Sequence, residues 1–202
     1  MRLRRAGRSA LLLECRDSDE VEAWRAELWR RRSSGELSAV DIVPGARSVL
    51  LDGIAPDTPT LLAGWTPVGP ATEISDKPHV ELRTTFDGED LPDVAARWDV
   101  SVPAAVARLA EAELTVAFCG FAPGFGYLRG LPQEWAVPRL AAPRPRVPAG
   151  AVALAGGYAG IYPAASPGGW RLVGHTTANL FDVRREPPAL LAPGTRVRLV
   201  PA

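Results

Sequence analysis

The fold of this 202-residue chain is decided by a stretch rich in glycine and proline between residues 121 and 176. The stretch carries, in order, FAPGFGYLRGLP (121–132), PR (138–139), PRPRVPAG (143–150), GIYP (160–163), SPGGW (166–170) and GHT (174–176). Short apolar runs lie between and after these motifs, at Ala151–Ala155, Asn179–Val183 and Arg196–Val200. Short strands separated by tight turns are typical of a closed barrel or a sandwich. We therefore predict a mostly-β domain around this stretch.

The first third of the chain predicts a smaller unit of mixed type. Ser9–Cys15 is a short apolar run that indicates a buried strand. Asp17 offers N-cap chemistry for a helix that extends to Arg32. A hairpin is expected over residues 40–51, around a Pro-Gly turn, and a second short helix over residues 57–65. The order β-α-β-β-α predicts a small α+β domain of the ferredoxin-like type.

The character of the sequence changes after this unit, and we predict two domains, 1–76 and 77–202. The second domain is expected to begin with an alternating strand over His79–Thr85. Two short helices between residues 91 and 113 and a strand over Leu114–Phe118 then lead into the glycine-rich stretch.

Charge and composition disfavour several classes of partner. The chain has 23 basic and 23 acidic residues, whereas nucleic-acid and anionic-membrane partners normally require a basic excess. The N-terminal apolar run is too short for a secretory signal, and no window approaches the ~20 apolar residues of a membrane span. Cys15 and Cys119 are the only cysteines, and we expect free, buried thiols in a reducing compartment. These features predict a soluble, cytoplasmic protein.

The first candidate for a binding surface is the turn that follows the strand ending at Phe118. Pro123 and Gly124 favour a tight turn, and Phe125 and Tyr127 place aromatic rings beside it. Such a turn can form a rigid, partly apolar wall of a pocket. From this segment alone, however, a packed turn with structural aromatic contacts is the favoured interpretation.

Arginines on a proline-rich segment form the second candidate. Arg139, Arg144 and Arg146 each follow a proline, which stiffens the backbone and lowers the entropy lost when a guanidinium is fixed. Two or three such groups can bind a carboxylate or a phosphoryl group. The alternative is a solvated loop with no specific ligand.

Ser166, His175 and Thr176 are the polar side chains best placed for chemistry among the glycine-rich turns. His175 can exchange a proton near neutral pH. A nucleophilic pair of Ser166 and His175, oriented by Asp182, has no support from a GxSxG elbow or from spacing. A Walker loop and a dinucleotide fingerprint are absent from the sequence, and two histidines and two cysteines predict no transition-metal site. Nucleotide chemistry would therefore depend on another chain or on a site of an unfamiliar type.

Taken together, the ordered motifs resemble a known family. FxPGFxYLxGLP, PRxxxPRxxVPAG and GIYPxxSPGGWxxxGxT are similar to the family that includes the B subunit of 5-oxoprolinase, the Kip-type inhibitor of a sporulation histidine kinase and the allophanate hydrolase subunit 1 region of urea carboxylases. The strong resemblance covers about Val116–Asp182, and a weaker one extends to residues 86–91 and 48–51.

This resemblance implies a cyclophilin-like β-barrel after the small α+β domain, and partner subunits A and C. The complex is expected to open 5-oxoproline to glutamate with ATP and Mg²⁺, while this chain is expected to be inactive alone. Arg139 and Arg144 become the candidate ligands of a carboxylate or phosphate. Pro123, Gly124, Phe125 and Tyr127 become the pocket wall, Thr176 a polar contact, and His175 and Ser166 the candidate catalytic residues.

Several positions depart from the family pattern: Ala151 replaces a common Ser, and Arg108–Leu114 lacks an expected His and Tyr. Tyr158 and Ala159 stand where Gln-Thr is expected, and His175 where Arg is expected. Lost polar groups in one region are compatible with a changed substrate. Two alternative functions therefore stay open: a Kip-type kinase inhibitor, and a subunit of a related amidohydrolase that acts on another small amide or urea derivative.

Overall fold

The structure is a computed structural model that describes residues 1–67 and 79–202. Contacts divide the chain into two compact units, Met1–Asp76 and Lys77–Ala202. No helix in the described part of the chain is long and apolar enough to cross a membrane.

The N-terminal unit is a four-stranded antiparallel sheet with two helices. The strand order is β1-β2-β4-β3. The elements are β1 (Arg2–Arg5), β2 (Ala10–Glu14), α1 (Ser18–Ser33), β3 (Asp41–Pro44), β4 (Ser48–Asp52) and α2 (Thr58–Ala63). The predicted elements are present in the predicted order, but the order β-α-β-β-α was incomplete. It missed β1, whose sequence RLRR has no apolar alternation because most of this edge strand is exposed.

Along β2 and β4, every second side chain is buried, and these buried side chains form the core of this unit. Leu11, Leu13, Val49 and Leu51 are almost completely buried and pack in one cluster with Trp24 of α1. The helix begins as expected, because the Asp17 carboxylate accepts a hydrogen bond from the Glu20 N–H at 2.8 Å.

The second unit contains a seven-stranded sheet of order β12-β9-β10-β7-β6-β13-β5 and a two-stranded sheet of β11 and β8. Its strands are β5 (His79–Thr84), β6 (Leu114–Cys119), β7 (Gly126–Arg129), β8 (Arg144–Val147), β9 (Ala151–Ala155), β10 (Tyr158–Ile161), β11 (Ser166–Gly168), β12 (Arg171–His175) and β13 (Arg196–Pro201). Its helices are α3 (Leu91–Arg97), α4 (Val102–Glu111) and a 3-10 turn at Gln133–Trp135.

One bridge nearly closes the large sheet into a barrel. The two outermost strands meet where Thr85 and His175 exchange two backbone hydrogen bonds of 2.9 Å. Of the predicted closed barrel or sandwich, the structure confirms a mostly-β, barrel-like domain whose sheet is nearly closed. The strand expected over Asn179–Val183 was wrong, since only Phe181 forms a bridge, with Ala189.

Strand β9 shows how this unit buries both faces of its sheet. All five residues are buried. Val152 and Leu154 point into the main core, which α3 and α4 also line. Ala151, Ala153 and Ala155 belong to a separate cluster that is rich in aromatic side chains. The side-chain alternation of a strand therefore supports two cores, and the aromatic one carries the candidate site.

Candidate functional site

An aromatic cluster covers the alanine face of β9. Phe125 lies at its centre, with ring centroids 5.0 Å from Tyr127, 5.4 Å from Tyr162 and 5.6 Å from Trp170, all edge to face. Such geometry stabilises aromatic pairs beyond the area they bury. The alanines of β9 leave room for these large rings, and Phe125, Tyr162 and Trp170 are at most 5% exposed.

The predicted turn between β6 and β7 brings Phe125 into this cluster. The Phe125 N–H donates to the Ala122 carbonyl at 2.9 Å, and the Gly120 N–H donates to the Phe125 carbonyl at 3.2 Å. Gly124 has φ +84°, and a Cβ there would lie 2.7 Å from the Phe181 Cβ, so glycine is required. Pro123 and Gly124 thus shape the turn, as expected.

Phe121 is the unusual residue of the turn. It adopts φ +68°, which is uncommon for a non-glycine residue and costs free energy. Its ring is 62% exposed, yet it stands 5.3 Å from Phe125 and 6.0 Å from Tyr162. The strained backbone therefore holds an exposed aromatic ring over the cluster.

Between these rings lies a shallow pocket of about 100 Å³. It is lined by Phe121, Phe125, Tyr127, Arg139, Tyr162 and Trp170, together with Gly168 and Gly169. A Cβ on Gly168 would lie 2.3 Å from the Tyr162 hydroxyl, so the glycines of the SPGGW motif allow the chain to approach this tyrosine closely. Burial raises the pKa of Tyr162, which keeps its hydroxyl neutral at ordinary pH.

Arg139 supplies the positive charge at this pocket. Its side chain is exposed, and its guanidinium carbon lies 5.9 Å from the centre of the Trp170 ring. Within residues 1–67 and 79–202 it forms no ion pair. Arg139 thus combines an open hydrogen-bonding fork with a position at the rim of an aromatic pocket.

Arg144, the second predicted ligand, is engaged within the fold. One of its terminal nitrogens donates to both carboxylate oxygens of Asp90 at 2.8 Å, and its Nε lies 2.6 Å from Glu89. Its other terminal nitrogen donates to the Trp170 carbonyl at 3.4 Å. Asp90 is buried and also accepts the Leu172 N–H at 2.7 Å. This network connects β8, the start of α3 and β12, and Arg144 presents little free donor capacity to a ligand.

The sequence interpretation missed Asp90, Asp93 and Arg171. The acidic residues between positions 87 and 90 precede the first helix predicted for this domain, and no binding role was predicted for them. Arg171 directly follows the SPGGW motif and belongs to none of the quoted motifs. Arg171 is 8% exposed, pairs with Asp93, and donates through Nε to the Pro138 carbonyl at 2.9 Å. The one sequence signal for this network is the spacing of Asp90 and Asp93, which stand at i and i+3 at the start of a predicted helix.

The candidate catalytic residues do not form a hydrogen-bonded pair. The Oγ of Ser166 is buried and has no hydrogen-bond partner in the part of the chain that the structure describes. The His175 ring bonds through Nδ1 to Asp87 at 2.8 Å, and both side chains are about half exposed. Asp182 is bound by Arg184 at 2.8 Å. The serine–histidine–aspartate arrangement is therefore not assembled, and Ser166 and His175 do not line the aromatic pocket.

Thr176 has a local role in the chain path. It is buried, its N–H donates to the Gly150 carbonyl at 2.9 Å, and its Oγ1 accepts the Ala178 N–H at 3.3 Å. A Cβ on Gly150 would lie 2.1 Å from the Thr176 carbonyl oxygen, which explains the glycine there.

The departures from the family pattern lie in different environments. Tyr158 belongs to the aromatic cluster, with its ring 5.6 Å from Phe118 and 6.0 Å from Tyr127, and burial raises its pKa. Ala159 is buried in the main core, and His175 is at the barrel seam. Among these three residues, only Tyr158 therefore changes the surroundings of the pocket.

A larger cavity of about 380 Å³ lies elsewhere in this unit. Charged side chains of both signs line it, among them Glu111, Glu113, Arg196 and Arg198. None of the motifs in residues 121–176 contributes to it. We therefore place the candidate site at the smaller aromatic pocket, where five motif side chains meet Arg139.

Comparison with known proteins assigns the family. Residues 1–191 match the family model of the carboxyltransferase domain, subdomain C and D. The B subunit of 5-oxoprolinase from Escherichia coli O157:H7 is 36% identical over 205 residues, which cover 96% of this chain and 93% of that protein.

Solved structures agree with this assignment. The chain superposes on TTHA0988 with a TM-score of 0.76 and 36% identity over 96% of its own length, but it spans only 40% of that protein. It also superposes on PH0987 of Pyrococcus horikoshii with a TM-score of 0.60 and 31% identity, covering 99% of this chain and 97% of that one. The family predicted from residues 121–176 is thus confirmed, and the chain belongs to the carboxyltransferase-domain family of subdomains C and D, with 5-oxoprolinase B subunits among its relatives.

Proposed function

We propose that this chain is the B subunit of an ATP-dependent 5-oxoprolinase complex, which opens 5-oxoproline to L-glutamate. The observation that carries the proposal is the 36% identity to a 5-oxoprolinase B subunit across 93% of that protein. A match of this extent covers both compact units, so it does not rest on a single shared motif.

The aromatic pocket fits a small cyclic carboxylate. Arg139 offers a guanidinium fork that matches a carboxylate, and no described residue occupies it. The exposed Phe121 ring, together with the aromatic residues beneath it, supplies apolar lining for the ring of such a molecule. The lining contains no acidic side chain that would repel the carboxylate. These features support a role for Arg139 in binding substrate, with Phe125 and Tyr127 as pocket wall.

The proposal places the ATP-dependent step in a complex with subunits A and C, and this chain is proposed to be inactive alone. The described residues contain no group of three or more His, Cys, Asp or Glu side chains suited to a metal ion. Mg²⁺ bound to a nucleotide needs only one or two protein carboxylates beside the phosphates, but the lining of the aromatic pocket contains none, so the proposal assigns ATP binding to the partner subunits. The part of the reaction assigned to this chain is to bind and orient the substrate carboxylate while the lactam C–N bond is cleaved.

The domain boundaries, the two fold types and the cellular location are part of the same proposal. We infer that the two compact units are domains of residues 1–76 and 77–202, the first ferredoxin-like and the second a cyclophilin-like barrel. Antiparallel pairing of β2, β4 and β3 with two helices supports the first, and the seam at Thr85 and His175 supports the second. Two free cysteines support a location in the reducing cytoplasm.

Co-expression with subunits A and C of the same organism tests this function. The purified complex should release glutamate from 5-oxoproline only when ATP is present, and the chain alone should release none. A stable complex that contains all three subunits but produces no glutamate would contradict the proposal.

Arg139→Ala tests the site within that complex. Loss of a charge-assisted hydrogen bond should raise KM for 5-oxoproline about 10- to 100-fold. Arg146→Ala is the matched control, because Arg146 is an exposed arginine of the same segment that does not line the pocket. If both variants change KM equally, the pocket is not the substrate site.

A further inference from the structure

The segment that carries Arg139 is held by three consecutive residues at the start of β12. We call residues 138–144 the arginine strap. The Gly169 carbonyl accepts the Leu140 N–H at 2.8 Å. The Trp170 carbonyl accepts from Arg144 at 3.4 Å, and Arg171 donates to the Pro138 carbonyl at 2.9 Å. Each of these contacts joins the strap to the same short piece of chain.

Two of these anchors lie directly beside Arg139. Pro138, just before it, is held through its carbonyl by Arg171, and Leu140, just after it, is held through its N–H by Gly169. The backbone of Arg139 is therefore fixed on both sides while its side chain stays exposed. Such an arrangement reduces the entropy lost when a guanidinium binds a ligand.

Of the two anchors beside Arg139, the one at Leu140 is a hydrogen bond between backbone groups, whereas the one at Pro138 depends on the charged side chain of Arg171. Arg171 is only 8% exposed, so its charge is stable there only beside an opposite charge. Asp93 of α3 supplies that charge by pairing with a terminal nitrogen of Arg171, while the Nε of Arg171 contacts Pro138. Asp93 also accepts from Arg97 at 2.9 Å. The hydrogen bond from Arg97, together with Arg171, lowers the pKa of Asp93, so the carboxylate stays charged at neutral pH.

We propose that Arg171, oriented by Asp93, is a positioning residue that fixes the Pro138 carbonyl and thereby aims Arg139 at the carboxylate of the substrate. That the ligand of Arg139 is the carboxylate of 5-oxoproline rests on the proposed function. The orienting role itself is a property of this chain, and it can be measured without substrate.

Arg171→Gln and Arg97→Gln form a matched pair for the test. Both remove one guanidinium from Asp93, but only Arg171 touches the strap. In the complex, Arg171→Gln should raise KM for 5-oxoproline about tenfold with a smaller change in kcat. Arg97→Gln should leave both constants unchanged. Arg171→Lys, which keeps the charge beside Asp93 but lacks a planar fork, should recover only part of the loss.

A double variant separates positioning from general stability. If Arg171 acts through Arg139, then Arg171→Gln should cause little further increase of KM in an Arg139→Ala background. An increase of tenfold in both backgrounds would overturn the inference. Asp93→Asn gives a second route should Arg171→Gln fold poorly: Asp93 is half exposed, and its replacement keeps the Arg171 side chain but removes the carboxylate that orients it, so KM should rise in the same direction. An unchanged KM in a folded Asp93→Asn variant would contradict the orienting role of Asp93.

The substrate-free measurement is the ¹⁵N order parameter of backbone amides in the full chain. We expect the amides of Arg139 and Leu140 to become more mobile in Arg171→Gln and to remain rigid in Arg97→Gln. Unchanged order parameters in Arg171→Gln would overturn the inference, even if the complex proved inactive on 5-oxoproline. Inactivity of the wild-type complex would instead contradict the proposed function, and the order parameters would still decide the role of Arg171.

Discussion

Arg139 and Arg144 show how two similar residues acquire different roles. Both follow a proline in the same segment, and the sequence offers no means to rank them. In the fold, Arg144 is bound by Asp90 and Glu89, whereas Arg139 is exposed beside Trp170. The difference arises because β8 runs past the start of α3, where these two carboxylates lie. We therefore expect a structural role for Arg144 and a binding role for Arg139.

Gly160 and Gly157 give a residue-scale prediction about the aromatic cluster. A Cβ on Gly160 would lie 2.8 Å from Phe125 and 2.9 Å from Trp170, whereas a Cβ on Gly157 would meet nothing within 4 Å. Gly160→Ala should lower the free energy of unfolding by about 1–3 kcal/mol through overpacking. Gly157→Ala should be neutral or slightly stabilising. Urea denaturation measures both, and equal effects would show that the cluster adjusts freely.

At the scale of elements, helix α3 organises the site from outside the pocket. Its N-cap residue Asp90 pairs with Arg144, and Asp93 in its first turn pairs with Arg171. A Cβ on Gly88 would lie 2.3 Å from the Leu172 carbonyl oxygen, so the turn before the helix can approach β12 closely. One short helix thereby fixes both β8 and β12.

Arg144→Ala and Arg184→Ala test the value of that connection. Removing Arg144 leaves the buried Asp90 carboxylate without its ion partner and should cost about 2–4 kcal/mol of unfolding free energy. Arg184 also pairs with an aspartate, but its side chain is 85% exposed and screened by solvent, so its loss should lower the free energy of unfolding much less than the loss of Arg144. Urea denaturation of both variants gives the comparison. A cost for Arg144→Ala as small as that for Arg184→Ala would contradict the role assigned to the pair.

Helix α1 provides a prediction about pH. Hydrogen bonds from Arg30 and then Arg31 lower the pKa of Glu27, whose side chain is 4% exposed. Because the folded-state pKa lies below the unfolded value of about 4.3, the stabilisation is complete above that value and is lost as the pH falls through the folded pKa. The difference in unfolding free energy between wild type and Glu27→Gln should be largest at pH 7 and shrink below about pH 4.5. A difference that is constant between pH 7 and pH 3.5 would contradict this.

At the scale of the molecule, each compact unit has its own core and its own free thiol. Cys15 is packed among Leu13, Val21 and Leu28 in the N-terminal cluster. Cys119 packs against the main core of the second unit. Burial raises the pKa of Cys15 to about 11 and also raises that of Cys119. Both thiols should therefore react slowly with alkylating reagents until their unit unfolds.

Thiol labelling in urea gives the molecule-scale prediction. Leu28→Ala should destabilise the N-terminal unit by about 2–5 kcal/mol, and Cys15 should become labelled at lower urea than in wild type. The urea midpoint for labelling of Cys119 should not move, because the described residues of the two clusters do not overlap. An equal shift at both cysteines would show that the units unfold together.

The sequence by itself determined the family, the mostly-β character of the second unit and the turn at Pro123-Gly124. These features depend on residues that are close together in the sequence, such as a glycine whose φ freedom a turn requires, and on the order of short motifs along the chain. The tertiary structure decided that Arg139 is exposed at the pocket, that carboxylates bind Arg144 and Arg171, and that Ser166 and His175 do not pair. Those facts depend on contacts between residues 54 and 78 positions apart in the chain, such as Arg144 with Asp90 and Arg171 with Asp93. No local pattern encodes such pairs, because the partners come together only when the strands and α3 pack into the barrel.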